Sequence, residues 1–375
     1  MKKIFIFLFL FICSIAAFAQ NKISDTFLEG AIITSFQFDD KDIWVSTYGH
    51  GIFHYIAEEN QWENFSSQKG NVEQDFFYCI AVSKNYVWAG TGEGLFTYDV
   101  KHNSWHKRKF GVGGELGNWI RSLYYDPSQN TLWIGRFINL TRLEVAKQKY
   151  TDFDLTNKGE PKANNYKTIK PDGDSLIWFG TEAGTYKYYK SKRLESSNSY
   201  VFYSNKGSAF KGEGETVSLS DFVFDPGAIW FGTDEFITEK KPDFNVGGIF
   251  KYNRKSKWEK IDIGSGLTAN GIYCLERTGR KLWAGLYSFD VKEKKDDAKG
   301  LALIDRVTNN VTIINIDELG VKSKKITCMQ FDGEYLWFGT DNGLSRLKLS
   351  NPFAEWTLQK KQVKTKTRKT KTGRL

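Results

Sequence analysis

The most regular feature of the chain is a short apolar run that contains a tryptophan and ends at a glycine. One such run reads LWFGTDNGL at 336–344, and another reads IWFGTEAGT at 177–185. The seven tryptophans of these runs are Trp44, Trp88, Trp133, Trp178, Trp230, Trp283 and Trp337. Successive tryptophans lie 44 to 54 residues apart, which is the period of solenoids and propellers.

Each repeat contains four runs that predict β-strands. ITCMQFD at 326–332 precedes a tryptophan run, GLFTY at 94–98 follows one, and QWENF at 61–65 comes fourth in its repeat. These runs are rich in β-branched and aromatic residues, are too short for helices, and end at turn-forming residues. In the seventh repeat the fourth run is EWTLQ at 355–359. Each repeat therefore predicts a four-stranded antiparallel meander.

A lone meander of this length cannot bury both of its faces, and a flat stack of meanders would leave exposed edges. A radial arrangement buries the tryptophan-bearing faces between neighbours. We therefore predict an all-β fold, a seven-bladed β-propeller of four-stranded antiparallel blades over 20–359. Each repeated tryptophan is expected to be a buried wedge against the next blade.

The two ends of the sequence differ from the repeats. Lys2 and Lys3, an apolar run at 4–15 and the small-residue sequence AAFA predict a signal peptide at 1–19 that is cleaved after Ala19. The apolar run is shorter than the ~20 residues of a membrane-spanning helix. We therefore expect an exported protein, either periplasmic or secreted.

The formal net charge of +9 is concentrated at one end, since the stretch 360–375 holds eight Lys or Arg and no acidic residue. The predicted propeller is close to neutral, so its charge does not indicate a specific nucleic-acid partner. The basic tail at 360–375 is predicted to be disordered. It serves either as a solubilising terminus or as an electrostatic contact with anionic envelope polymers.

Three cysteines follow the predicted cleavage site, and an odd number argues against a disulfide framework. Cys79, Cys274 and Cys328 each lie nine residues before a repeated tryptophan, in the slot that Ser35 and Ser122 fill in other repeats. This predicts buried free thiols, with a Cys274–Cys328 bridge or a metal site as alternatives.

Histidine also gives no indication of a metal site. His102 and His106 share a predicted hairpin, but no third ligand lies nearby in the sequence. No metal or other cofactor is predicted.

The stretch DGEYLWFGTDNGL at 332–344 resembles the two-component regulator propeller repeat, and the resemblance extends over 31–359. It implies a seven-bladed propeller that senses ligands in the periplasm, where glycan fragments are the usual signals of the family's hybrid histidine kinases. Those sensors tend to have two propellers, a sandwich domain, a membrane helix and a kinase. This sequence shows one propeller, so only ligand binding is carried over.

The resemblance also implies that the loops between strands two and three share one face with the loops between blades. The longest of these loops are predicted at 204–218, 233–248 and 286–300. Because loops on a rigid scaffold commonly carry binding sites, we expect the ligand on this face.

The candidate ligand-binding residues lie in these loops or beside them: Tyr48, His50, Trp119, Arg136, Tyr287, Asp290, Asp341 and Asn342. Arg136 replaces the threonine of the usual Gly-Thr pair and is expected to project a forked donor at the channel mouth. Trp119 is expected to offer a stacking face. Aromatic platforms beside hydrogen-bonding groups suit carbohydrates, whereas any one of these residues alone is better explained as a solvated turn residue.

The sequence thus predicts an exported ligand-binding propeller of the sensor type that takes a small molecule or an oligosaccharide. A scaffold for an envelope protein partner is a second hypothesis. A lyase or hydrolase is a third, in which His50 would act with Glu93 or Glu182. We assign no catalytic residue, because none of the common catalytic motifs occurs.

Overall fold

The computed structural model describes residues 23–349, apart from 158, 197, 215, 239 and 240, and leaves out the side chains of 23, 24 and 236–246. The predicted signal peptide, the predicted strand at 355–359 and the basic tail lie outside the described residues.

Seven four-stranded antiparallel sheets form the described part of the chain. The strand that comes first in the sequence is β1 (Ile23–Phe27). The strands of blades one to three are β2 (Ile33–Asp39), β3 (Asp42–Thr47), β4 (Ile52–Ile56), β5 (Gln61–Phe65); β6 (Cys79–Val82), β7 (Tyr86–Thr91), β8 (Gly94–Asp99), β9 (Ser104–Arg108); β10 (Ile120–Asp126), β11 (Thr131–Arg136), β12 (Leu140–Glu144), β13 (Lys149–Phe153).

Blades four to seven continue this order. Their strands are β14 (Tyr166–Asp172), β15 (Leu176–Thr181), β16 (Gly184–Tyr189), β17 (Tyr200–Tyr203); β18 (Leu219–Phe224), β19 (Ile229–Thr233), the added hairpin β20 (Phe236–Thr238) and β21 (Lys241–Val246), β22 (Ile249–Tyr252), β23 (Trp258–Ile261); β24 (Gly271–Thr278), β25 (Lys281–Asp290), β26 (Lys295–Asp305), β27 (Val311–Ile314); β28 (Ile326–Phe331), β29 (Tyr335–Thr340), β30 (Gly343–Lys348).

The described helices are all short. The α-helix α1 (Ile316–Leu319) and the 3-10 helices lie in the connections, the latter at Ser67–Lys69, Leu116–Asn118, Val145–Lys147, Pro161–Asn164, Asn205–Gly207, Ala209–Gly212 and Ile263–Ser265. The predicted fold is confirmed: the blades form a ring, and the inner strand of each blade contacts the inner strands of both neighbours, including β28 and β2.

The seventh blade takes its outer strand from the other end of the described chain. The order of this sheet is β1-β30-β29-β28, and Phe27 of β1 pairs with Leu344 of β30. The sequence analysis placed 355–359 beside β30, whereas in the described structure β1 holds that position. Backbone hydrogen bonds between the two ends therefore help to close the ring.

The repeated tryptophans are the wedges that the pattern predicts, since all seven are at most 7% exposed. Trp88 of blade two packs with Ile120 and Leu132 of blade three, and Trp337 of blade seven packs with Ile33 of blade one. In six of the seven blades a glycine two residues after the tryptophan allows this approach, and blade one has Ser46 in this position. A Cβ on Gly90 would lie 2.6 Å from a methyl group of Ile120 in the next blade.

The three described cysteines are free, with Cys79 and Cys274 buried and Cys328 partly buried. This confirms the prediction of free thiols. Burial raises the pKa of each thiol, so the thiols remain protonated at neutral pH.

The aspartates that end the inner strands stabilise the blades in two ways. Asp332 accepts backbone hydrogen bonds from Glu334 and Tyr335, as expected of a turn cap. Its other oxygen accepts a hydrogen bond of 2.7 Å from the Trp337 indole. The same contact joins Asp225 to Trp230, so these carboxylates also fix the wedge.

Some of these aspartates also form ion pairs between blades. Lys190 follows β16 of blade four, and its ammonium lies 2.7 Å from Asp126, which ends β10 of blade three. Arg254 of blade five binds Asp172 of blade four through both carboxylate oxygens at 2.7 and 2.8 Å. Arg306 of blade six pairs with Asp225 of blade five. Three successive blade boundaries therefore share one type of ion pair.

We predict that Lys190→Met lowers the free energy of unfolding by about 3 to 5 kcal/mol, because it leaves the buried Asp126 carboxylate without its cation. Urea denaturation measures the loss. Adding Asp126→Asn should recover part of it. Lys192→Met removes an exposed lysine from the same turn and should cost under about 1 kcal/mol. A similarly small cost for Lys190→Met would contradict the role of the ion pair.

Candidate site at the channel mouth

The ring encloses a central cavity of about 690 Å³ that is lined by the inner strands of all seven blades. We call the face with the connections between strands two and three the loop face, and the opposite face the hairpin face. Where the inner strands begin, at the loop face, most of them contain a β-bulge. The bulged residues are Thr34, Arg121, Lys167, Ser220, Tyr273 and Thr327, and all of them line the cavity. Bulges commonly re-aim a side chain, and here they place a polar ring at the channel mouth.

Five aromatic side chains form a continuous arc over blades one to three on the loop face. We call this arc the aromatic crescent; it consists of Tyr48, Phe76, Tyr78, Trp119 and Phe137. In the spatial order Phe76, Tyr48, Tyr78, Trp119, Phe137, successive ring centroids are 4.8, 5.9, 5.9 and 5.1 Å apart. Tyr48 and Phe76 are 43% and 46% exposed. Trp119 and Phe137 are parallel to within 3°, and the Phe137 amide donates to the Trp119 carbonyl at 2.8 Å.

Arg121 connects the aromatic crescent to a polar group on blade four. Its guanidinium carbon lies 5.6 Å from the Trp119 ring and 5.3 Å from the Phe137 ring. One guanidinium nitrogen donates to a carboxylate oxygen of Glu182 at 2.6 Å. The other oxygen of Glu182 accepts a hydrogen bond from the side-chain amide of Asn165 at 3.2 Å. These contacts hold a forked donor and a carboxylate beside the aromatic rings.

A second polar wall is built from blades four to six. Asp234 forms an ion pair with Lys167 and accepts hydrogen bonds from Ser218 at 2.6 Å and from the Tyr287 hydroxyl at 3.0 Å. Burial opposes ionisation of Asp234, but the charge of Lys167 and these hydrogen bonds outweigh it and lower the pKa of the carboxyl. Asp234 is therefore ionised at neutral pH. The Tyr287 ring stacks on Tyr273 at 4.4 Å.

The structure brings together some of the predicted residues. Tyr48 and Trp119 lie in the aromatic crescent, and Glu182 lies beside it. Tyr287 belongs to the second wall, but it is only 7% exposed and contributes its hydroxyl rather than an open platform. Phe76, Tyr78, Phe137 and Arg121 were missed by the sequence analysis.

None of the eight predicted ligand-binding residues lines the cavity itself, and four of them besides Arg136 also lie outside the aromatic crescent and the second wall. His50 and Asp341 are exposed on loops, and Asp290 is exposed at the end of β25. Asp290 accepts hydrogen bonds from the amides of Lys292 and Glu293 and so caps its own hairpin. Asn342 accepts a hydrogen bond from the Gly30 amide at 3.0 Å, which ties its loop to the segment after β1.

The expectation that Arg136 projects at the channel mouth is wrong. The residue is 0% exposed. Its guanidinium donates to the carbonyl oxygens of Val112 and Gly117 at 3.1 and 2.8 Å, and to Asp152 of the outer strand at 2.9 Å. It therefore points outward from the channel, beneath the loop before β10.

The physical reason lies in the slot that Arg136 occupies. In other blades this slot holds a buried threonine whose hydroxyl donates to a carbonyl across the loop, as Thr340 does to Gly343 at 2.9 Å and Thr181 to Gly184 at 2.8 Å. The slot therefore braces a loop in each of these blades. Arg136 has the same role for a larger loop. The recurring threonine was the sequence signal for a structural position.

The catalytic arrangement considered from the sequence is not formed. Glu93 pairs with Lys107 at 2.9 Å, Glu182 pairs with Arg121, and His50 does not line the cavity. Among the described residues, no three His, Cys, Asp or Glu side chains are grouped as metal ligands would be. Within 23–349, the described chain also contains no helix with the length and apolar character to cross a membrane.

Comparisons with known proteins support the fold. No family model matches the sequence, and no curated protein matches it. Two solved structures of the extracellular domain of a B. thetaiotaomicron protein, described as a putative hybrid two-component system and as a putative one-component system, are 19% and 20% identical to this chain, with TM-scores of 0.60 and 0.62. Both similarities cover 87% of this chain and 39% of the other.

An enzyme shares the same architecture. Virginiamycin B lyase from Staphylococcus aureus is 12% identical, with a TM-score of 0.58 over 87% of this chain and 98% of the other. At these identities each similarity shows the propeller fold. This chain spans about two fifths of the length of the two extracellular domains.

We predict that Arg136→Met lowers the stability of the fold and leaves ligand binding at the channel mouth unchanged. It should lower the free energy of unfolding by about 2 to 4 kcal/mol, since buried carbonyl oxygens and Asp152 lose their donor. Arg142→Met in the same blade removes a guanidinium whose carboxylate contacts are longer, at 3.6 and 3.8 Å, and should cost under about 1 kcal/mol. Equal losses in urea denaturation would contradict the assignment.

Proposed function

We propose that this protein is an extracytoplasmic ligand-binding propeller of the sensor type, and that it recognises glycan fragments at the channel mouth. The observation that carries the proposal is the aromatic crescent beside the fixed Arg121 guanidinium. Sugars have apolar faces that stack on aromatic rings and polar rims that require donors and acceptors. Arg121, Glu182 and Asn165 supply both kinds of group within reach of the Trp119 ring.

The size and shape of the mouth also support ligand binding. The cavity of about 690 Å³ is within the range of ligand sites, roughly 300 to 1,000 Å³. The crescent is anchored by backbone contacts, including the bridge between Tyr48 and Phe76. A site that is held in place before the ligand arrives loses less entropy on binding.

The similar B. thetaiotaomicron structures are extracellular domains of proteins described as two-component or one-component systems. They support a sensor role and a location outside the cytoplasm, as does the predicted signal peptide at 1–19. Passing a signal onward would require a further domain or an envelope protein partner. The proposal includes either of these two routes for the signal.

An interaction scaffold is the second candidate function. Exposed apolar side chains on the loop face favour it. Ile32 is 36% exposed, and its carbonyl accepts a hydrogen bond from the backbone amide of Tyr48, whose side chain is also exposed. A protein partner would cover such a patch. It would use the outer part of the crescent and leave the cavity itself empty, so the two functions can be separated by variants at different depths.

We predict that calorimetry with a panel of oligosaccharides will detect binding to the purified protein. Trp119→Ala should weaken the binding at least tenfold, about 1.4 kcal/mol, because it removes the stacking face. Arg121→Gln should weaken it by about the same factor. Tyr189→Ala changes a partly buried tyrosine on the hairpin face and serves as the matched control.

Loss of binding with Tyr189→Ala but not with Trp119→Ala would place the site on the other face and overturn the proposal. Turnover of a bound ligand would indicate an enzyme. If no oligosaccharide binds, the scaffold hypothesis gains support. A protein partner whose binding is lost with Phe76→Ala would then be the ligand instead of a glycan.

A further inference from the structure

A second ring of side chains lines the channel below the mouth. Its members pair directly with the wedge tryptophans across the first hairpin of each blade, so they lie at one depth. They are Gln37, Ala81, Tyr124, Lys170, Val223, Glu276 and Gln330, and all of them line the cavity. Five of the seven are polar, which gives this depth of the channel its own recognition chemistry.

Within the part of the chain that the structure describes, the Glu276 carboxylate lacks the direct ion pair that the cations lining the channel have. Each lining cation has a carboxylate partner: Arg121 with Glu182, Lys167 with Asp234, Lys170 with Asp221, and Arg277 with Asp225. Glu276 is different. Among the described residues, no lysine or arginine nitrogen lies within 4.0 Å of its carboxylate, and the hydrogen bond it accepts comes from the Arg277 amide at 2.7 Å. Glu276 is therefore a lining carboxylate without a direct ion pair among the described residues.

Lys170 belongs to the same ring of side chains, and its ammonium is already engaged. It lies 2.6 Å from Asp221 and donates to the Phe222 carbonyl at 3.2 Å. Burial raises the pKa of Glu276, and the charge of Lys170 opposes this shift without cancelling it. The Glu276 carboxylate is thus short of positive charge when the channel is empty.

The route from the mouth to Glu276 also favours a cation. Tyr273 lies at the bulge of the same strand, β24, and its ring lines the cavity. Burial and then the charges of Asp296 and Asp341 raise the pKa of Tyr273, so these carboxylates lie near the ring. The Lys325 ammonium lies 5.7 Å from the ring centroid, within the range of a cation–π contact.

We propose that the ligand carries a free primary ammonium group, as in an amino sugar that is not N-acylated, and that Glu276 binds this group inside the channel. The inference rests on the proposed function. The aromatic crescent takes the face of one sugar ring, while Tyr273 and Glu276 take the charged amine of the next. An N-acetyl group has no charge to pair with Glu276 and leaves the carboxylate desolvated and unpaired.

The test compares two tetrasaccharides of the same backbone, β-1,4-linked glucosamine and its fully N-acetylated form, by calorimetry at neutral pH. Wild-type protein should bind the amine form at least tenfold more tightly. Glu276→Gln should abolish this preference, and Glu276→Asp should retain part of it. Glu93→Gln removes an exposed carboxylate from the same face, outside the cavity lining, and should leave the preference unchanged.

Thermal unfolding of Glu276→Gln provides the folding control, and its melting temperature should be equal to or above that of wild type because a partly buried carboxylate without a direct ion pair is removed. Equal or tighter binding of the N-acetylated form, or a preference that survives Glu276→Gln, would overturn the inference while leaving glycan recognition intact. If neither tetrasaccharide nor any other glycan binds, the proposed function fails as well.

Discussion

The contact on which the structure depends is the one between the tryptophan-bearing strand of each blade and the inner strand of the next. The wedge supplies a large apolar surface, and the glycine that follows lets the neighbouring strand approach to van der Waals distance, as Gly90 does for Ile120. Each blade is incomplete until its neighbour covers this face. The ring follows from this requirement, and the ring brings seven inner strands around one channel.

The two faces of the ring have different roles. On the hairpin face, ion pairs such as Lys190 with Asp126 join successive blades. On the loop face, the ion pairs Arg121–Glu182 and Lys167–Asp234 lie at an accessible cavity. The first group is buried and serves stability. The second group fixes donors and acceptors where a ligand can reach them, and the Glu276 carboxylate lies below without a direct ion pair among the described residues.

The sequence was sufficient to predict the blades because their pattern is local and repeated seven times. It did not reveal that β1 completes blade seven, since that pairing joins residues more than 300 positions apart and β1 has no tryptophan. The site was only partly predictable. Trp119 was visible as an aromatic residue just before an inner strand, but the bulge that aims Arg121 into the cavity has no signature in a single sequence.

Arg136 illustrates the opposite error. Arg136 was selected because it departs from the repeat. In the blades that keep the threonine, its hydroxyl donates to a carbonyl oxygen across the adjacent loop. Arg136 occupies the same position and stabilises a larger loop through its guanidinium. Phe76, Tyr78 and Phe137 were missed because each is unremarkable in its own repeat. Only the ring brings them next to Tyr48 and Trp119.

Hydrogen–deuterium exchange with and without a bound oligosaccharide tests glycan recognition at the mouth most directly. We expect slower exchange at 74–78, 117–121 and 137–139, which carry the crescent and Arg121, and little change at 100–103 and 306–310 on the hairpin face. Protection confined to the hairpin face at saturating ligand, with none at the mouth, would contradict this site.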